Sequence, residues 1–146
     1  MSLLEIILSI LIIVIVIGSG ISMISYLEEG NLEEQLYYCN LLIQLARQEA
    51  LLNKKVVRLQ FEAGLPASYK VYYLDDNDSE IVIKEGDFQK RYYLLDSDLN
   101  LMTAGESIIL SFSEYLGSTT RTVGWRNNRS DGFLIVNNRG RVRFEF

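Results

Sequence analysis

"MSLLEIILSILIIVIVIGSG", residues 1–20, decides how this chain is organised. From Leu3 to Ile17 every side chain is Leu, Ile or Val except Ser9 and one carboxylate, Glu5. No charge follows until Tyr26 has passed. At about 1.5 Å per residue, a helix over residues 6–26 spans roughly 30 Å, the hydrocarbon thickness of a bilayer. A carboxylate at the mouth of such a segment costs on the order of 2–3 kcal/mol even on the gentler insertion scales. Glu5 therefore needs a partner.

No Lys or Arg occurs before Arg47, and the apolar run is longer than that of a signal peptide. The segment is expected to be retained. Its flank, Leu27-Glu-Glu-Gly-Asn-Leu-Glu-Glu-Gln35, is acidic, which favours the rest of the chain on the outer face of the membrane. Gly18-Ser19-Gly20 interrupts the run. It reads either as small-residue helix packing or as a stretch that loses helical structure when its surroundings change.

From Asn31 the pattern becomes amphipathic. Leu32, Leu36, Cys39, Ile43, Ala46 and Ala50 recur at alternating spacings of four and three, one stripe of a helix, which Tyr38, Leu42 and Leu45 widen. Asn53-Lys54-Lys55 places cations where the helix dipole favours them. Residues 1–26 and 27–55 together predict one helix of about 50 residues, bare in its first half and covered in its second.

Residues 56–146 change to a period of two. Val57–Phe61, Tyr69–Leu74, Ile81–Ile83, Arg91–Leu95 and Ile108–Phe112 read as short strands. Turn clusters separate them at Gly64-Leu65-Pro66, 75–78, Glu85-Gly86-Asp87, 127–132 and 137–140. The stretch from Gly132 to Phe146 reads as a closing hairpin. The fold class is α+β, a long N-terminal helix packed on an antiparallel sheet or small sandwich.

The chain has 146 residues and a net charge of −5, which argues against a protein basic all over. The balance is uneven, because Arg121, Arg126, Arg129, Arg139, Arg141 and Arg143 face only Asp131 and Glu145 in the last 26 residues. Such asymmetry points to a localised anionic partner. There is no histidine, so a Ser–His–Asp triad and a His–Cys zinc site are excluded. The lone cysteine, Cys39, forms no intrachain disulfide and reads as a small core residue. No enzymatic activity and no cofactor are expected.

Met1-Ser2-Leu3-Leu4-Glu5 and the apolar run after it resemble the mature N-terminus of type IV pilins and type II secretion pseudopilins. In that family a peptidase removes a short leader and the new N-terminus is methylated. The family usually starts with Phe, and many members carry a proline late in the apolar run where this chain has Ser22. Leu45-Ala-Arg-Gln-Glu-Ala50 and Gly140-Arg-Val-Arg143 are similar to two short signatures of the FimT/GspH branch. The resemblance covers roughly the first 50 residues and the last 15. It implies the pilin fold and a filament subunit, stored in the inner membrane before assembly into an extracellular pilus or periplasmic pseudopilus. Its partners would be other copies or related subunits. Met1 and Glu5 would be the assembly residues, with the Glu5 carboxylate facing a neighbour's N-terminal ammonium, an arrangement that makes each charge less costly to bury.

The C-terminal arginines admit two readings. Arg139, Arg141 and Arg143, with Arg126 and Arg129 from the preceding loop, form a candidate DNA-binding cluster, and Trp125 could stack on a base. FimT-like minor pilins associate such a Gly-Arg-x-Arg motif with DNA uptake. Alternatively the same edge pairs with the acidic face of the next subunit. A third possibility, from another class, is a single-span anchored β-domain that binds a small ligand. Asp75–Glu80 lacks the spaced ligands of a calcium loop and reads as an acidic hairpin turn. Tyr37-Tyr38, Tyr72-Tyr73 and Tyr92-Tyr93 should each turn one ring inward.

Overall fold

A computed structural model describes residues 31–88, 92–114, 120–127 and 130–146. Met1, Glu5, the apolar run and Arg129 lie outside them. Among the described residues, no helix is long and apolar enough to cross a membrane.

Among the described residues, one helix, α1 (Leu32–Asn53), is followed by eight strands: β1 (Val57–Glu62), β2 (Ser68–Leu74), β3 (Glu80–Asp87), β4 (Tyr93–Leu95), β5 (Ser107–Phe112), β6 (Arg121–Arg126), β7 (Asp131–Val136) and β8 (Val142–Glu145). They form two four-stranded antiparallel sheets, β3-β2-β1-β5 and β4-β6-β7-β8. The class is α+β, one helix packed against antiparallel sheets.

The helix begins at its own cap. Asn31 is extended (φ −68°, ψ 115°), and its side chain accepts a hydrogen bond from the Glu33 amide at 3.1 Å. An Asn in this position satisfies one of the amides that a helix start leaves open. The expectation of a single helix running unbroken from the first residues to Lys55 is therefore corrected at Asn31. An extended ψ there cannot continue an α-helical hydrogen-bond ladder. Glu33 and Glu34 follow in the first turn, where the dipole favours them.

The whole apolar stripe is buried: Leu32, Leu36, Cys39, Ile43, Ala46 and Ala50. It packs mainly on β1 and β7, one strand from each sheet. Gly132 on β7 makes that approach possible, since a Cβ there would sit 2.8 Å from the Leu32 side chain and 2.9 Å from that of Leu36. The sheets also meet each other. The rings of Phe61 and Trp125 lie edge to face, 5.7 Å apart, within one continuous core.

Two further expectations are corrected. Glu85-Gly86-Asp87 is not a turn; it pairs with Ser68, Tyr69 and Lys70 as the end of β3. The ladder is bulged between Val71 and Tyr72, which displaces the strand's alternation and hid it from a period-two reading. The segment 121–126 is strand β6 rather than loop, with Val123 and Trp125 buried. Thr122, Gly124 and Arg126 face the other side and Arg121 starts the core-facing row, so the strand lacks a full apolar row.

Three connections share one geometry. Asp75 Oδ1 accepts the amides of Asn77 and Ser79 at 2.9 and 2.8 Å. Asp96 Oδ1 does the same for Asp98 and Asn100, both at 2.8 Å. Asn137 Oδ1 accepts those of Arg139 and Arg141 at 3.0 and 2.9 Å. In each loop the fourth residue is left-handed: Asp78 (φ 59°), Leu99 (φ 66°) and Gly140 (φ 71°). This is a type I turn closed by a left-handed bulge residue. The Asp75–Glu80 cluster thus uses its carboxylate to fold a turn.

Candidate functional site

Two surfaces carry unusual chemistry, and they lie at different levels along α1. The first is the hairpin that joins β7 to β8. In β8, Val142 and Phe144 turn toward the core, and Arg143 and Glu145 turn to solvent. The Asn137 side chain holds the turn, so Arg139 and Arg141 project from a fixed backbone. Arg47 of α1 lies alongside, its Cδ 3.4 Å from the place a Cβ on Gly140 would take. Among the described residues, Arg47, Arg139 and Arg141 carry no ion pair. Arg47, Arg139 and Arg141 therefore lie together at one exposed turn. Arg143 is 3.1 Å from Glu145 in a solvent-exposed pair, which holds it only weakly.

The remaining candidates do not join this tip as expected. Arg126 makes a two-pronged contact to Asp131, Nε to Oδ1 at 2.6 Å and Nη2 to Oδ2 at 2.7 Å. That hydrogen bond holds the Asp131 carboxyl below its usual value and raises Arg126, so the guanidinium is already committed. Trp125 is 0 % exposed and cannot stack on a base. Its position between Val123 and the Leu94 partner on β4 puts it on the core face. Arg121 is exposed at the start of β6, and Arg129 is outside the described residues.

The second surface is a cleft of about 680 Å³ that the sequence reading did not find. It opens between the first turns of α1, the end of β3 and Tyr92, just before β4. Tyr38, Tyr69, Phe88 and Tyr92 form its wall, with Tyr37 and Leu41 exposed beside them. Glu33, Glu34 and Asp87 supply carboxylates around the aromatic surface. The Tyr38 and Tyr69 hydroxyls are 2.8 Å apart, and Tyr92 Oη donates to the Asn31 carbonyl at 3.1 Å. These bonds fasten the helix start to one sheet and to the approach to the other.

Burial, aided by the bond to Tyr38, pushes the Tyr69 hydroxyl up to about 12. Burial, then the nearby Glu34 charge, pushes Tyr92 up to about 12. Both phenols are thus neutral at physiological pH. Carboxylates beside neutral aromatic rings suit a cation, which gains charge pairing and the attraction of the ring face together. Lys84 of the same chain already sits 5.8 Å from the Tyr38 ring centre, an internal instance of that affinity. Cys39 is buried and its thiol is raised by burial, which leaves it unreactive. Among the described residues, no cluster of three His, Cys, Asp or Glu side chains is placed to hold a metal ion.

Each tyrosine pair does turn one ring toward the core: Tyr38 beside exposed Tyr37, Tyr73, and Tyr92. Tyr72 lies on the opposite face of β2, where it is buried outside the core cluster under Lys70. That alternation was readable. The cleft was not, because its walls come from α1, β2, the end of β3 and Tyr92, which only tertiary packing brings together. No known family model, curated protein or solved structure matches the chain.

Proposed function

We propose that this chain is a pilin-like structural subunit of a type IV pilus or type II secretion pseudopilus, held in the inner membrane before it assembles. The observation that carries the reading is the coupling of one carboxylate, Glu5, to an apolar run of membrane length and then to a helix packed by antiparallel sheets. The half-covered helix supports it. One face of α1 is buried by both sheets, and the opposite face leaves Tyr37, Leu41 and Leu52 exposed. An exposed apolar row on an otherwise well-packed domain suits contact with neighbouring subunits.

The decisive experiment is Glu5→Ala in the native host. Removing the charge eases membrane insertion by about 2–3 kcal/mol and deletes the counter-charge for a neighbour's amine. The variant protein should accumulate in the membrane while filaments disappear. Wild-type filament yield from Glu5→Ala would sink the reading.

A second reading, a DNA-binding minor subunit, is favoured by one observation: Arg139 and Arg141 are exposed and carry no ion pair among the described residues. The loss of Arg126 and Trp125 to internal contacts leaves it a smaller site than the sequence suggests.

A further inference from the structure

We propose that the acidic aromatic cleft at the start of α1 is the docking site for the arginine-bearing β7–β8 turn of a second copy of this chain. The inference deepens the filament reading and rests on it for the direction in which copies stack. The two surfaces are complementary in charge and chemistry. Glu33 and Asp87 rim a wall of tyrosine and phenylalanine rings, and Arg139 and Arg141 stand on a turn fixed by Asn137. A guanidinium is the cation best matched to such a site, because its plane stacks on a ring and its fork pairs with a carboxylate.

A chain cannot fill its own cleft with its own turn. Arg47 marks the level of the turn and Tyr37 the level of the cleft. At 1.5 Å per residue they are separated by about 15 Å along the helix axis. A neighbour shifted along that axis brings them together. Because the two patches are different, the contact is head-to-tail. It leaves a free cleft at one end and a free turn at the other, so it propagates instead of closing as a twofold dimer. The exposed Tyr37 and Leu41 side chains lie beside the cleft and would be covered at the same time.

Two charge-reversed variants of the full chain in mild detergent test this. Glu33→Lys with Asp87→Lys makes the cleft basic, and Arg139→Glu with Arg141→Glu makes the turn acidic. Each alone should self-associate at least about tenfold more weakly than wild type by sedimentation. A mixture of the two should associate again, since the basic cleft of one accepts the acidic turn of the other. Restoration also shows that both variants fold. In a parallel experiment, Tyr37→Cys and Asn138→Cys in one chain should give interchain disulfides under mild oxidation, with buried Cys39 as a silent background. The Glu5→Ala background should not reduce that cross-linking.

Unchanged association of either charge variant, no recovery in the mixture of folded variants, or a wild-type chain that stays monomeric would overturn the proposal. If cross-linking fails while filaments still depend on Glu5, the docking site falls and the filament reading stands. If the copies dock but the host makes no filament, the reverse holds. Rescue by free arginine or a DNA duplex, with no contact between copies, would assign the two surfaces to other ligands and also overturn it.

Discussion

The hydroxyls of Tyr38 on α1 and Tyr69 on β2 stand 2.8 Å apart, with their rings crossing edge-on at 5.8 Å. This contact ties the helix to the first sheet at the wall of the cleft. A hydrogen bond of this kind contributes about 1 kcal/mol, so Tyr38→Phe and Tyr69→Phe should each lower stability by about that amount. The double change should cost less than the sum, because each single change already breaks the same bond. Urea unfolding of the four proteins measures it, and strict additivity would show that the hydroxyls do not act together.

Alkaline stability follows from the same residues. The Tyr69 and Tyr92 hydroxyls are raised to about 12 in the folded chain, against about 10 for an unfolded tyrosine. The folded state therefore holds these protons longer than the unfolded state does. Their contribution is complete below about pH 10 and is lost as pH rises from 10 toward 12. Thermal melts across that range should show a steep fall in midpoint, and Tyr69→Phe with Tyr92→Phe should flatten it. An unchanged slope in the double variant would contradict the assignment.

The three matching loops give a comparison inside one molecule. Gly140 and Leu99 occupy the same left-handed position, yet only the first is glycine. A side chain in that region costs about 1–2 kcal/mol, while glycine adds about 0.5–1 kcal/mol of unfolded-state entropy. Gly140→Ala should thus destabilise by about 1 kcal/mol, and Leu99→Gly should be neutral or stabilising by up to about 1 kcal/mol. Equal losses at both positions, read from denaturant midpoints, would remove the common-turn account.

If the exposed arginines engage DNA, binding should be indifferent to sequence and steeply salt-dependent, because phosphate contacts release counterions. With about three contacts, raising salt from roughly 50 to 200 mM should weaken binding about tenfold to fiftyfold. Arg139→Gln with Arg141→Gln should weaken it at low salt and flatten the slope, while Lys54→Gln should do little. Fluorescence anisotropy with a labelled duplex settles the point. No binding of the full chain at about 50 mM salt would leave these arginines to contacts between proteins.

Much of the fold was legible in the residues. The stripe from Leu32 to Ala50 needs only a helical period and a buried partner, and each of its members is buried. β1 and β5 alternate cleanly because each has one core face, and they pair in register from Val57 with Phe112 to Glu62 with Ser107. β6 and the end of β3 were missed for local reasons, a strand with Gly124 on its outer face and a bulge that shifts the alternation. The Asn31 cap was visible as a residue type, but the apolar pattern on both sides of it argued for one continuous helix.

The candidate sites divide along the same line. Sequence placed Arg139, Arg141 and Arg143 on an exposed hairpin, since a turn and two-residue spacing suffice for that. It did not place Asp131 against Arg126, because β6 was read as loop and the β6–β7 hairpin that makes them cross-strand partners was missed. It could not bury Trp125 against Phe61, which joins strands of two different sheets. Nor could it assemble the cleft. Local periodicity determines which side chains a helix or strand presents, and it did so here for the α1 stripe and the arginine turn. Which presented surfaces then meet was decided only by tertiary packing, because Tyr38 on α1, the β2–β3 end that carries Tyr69 and Asp87, and Tyr92 before β4 belong to separate elements that no local periodicity brings together.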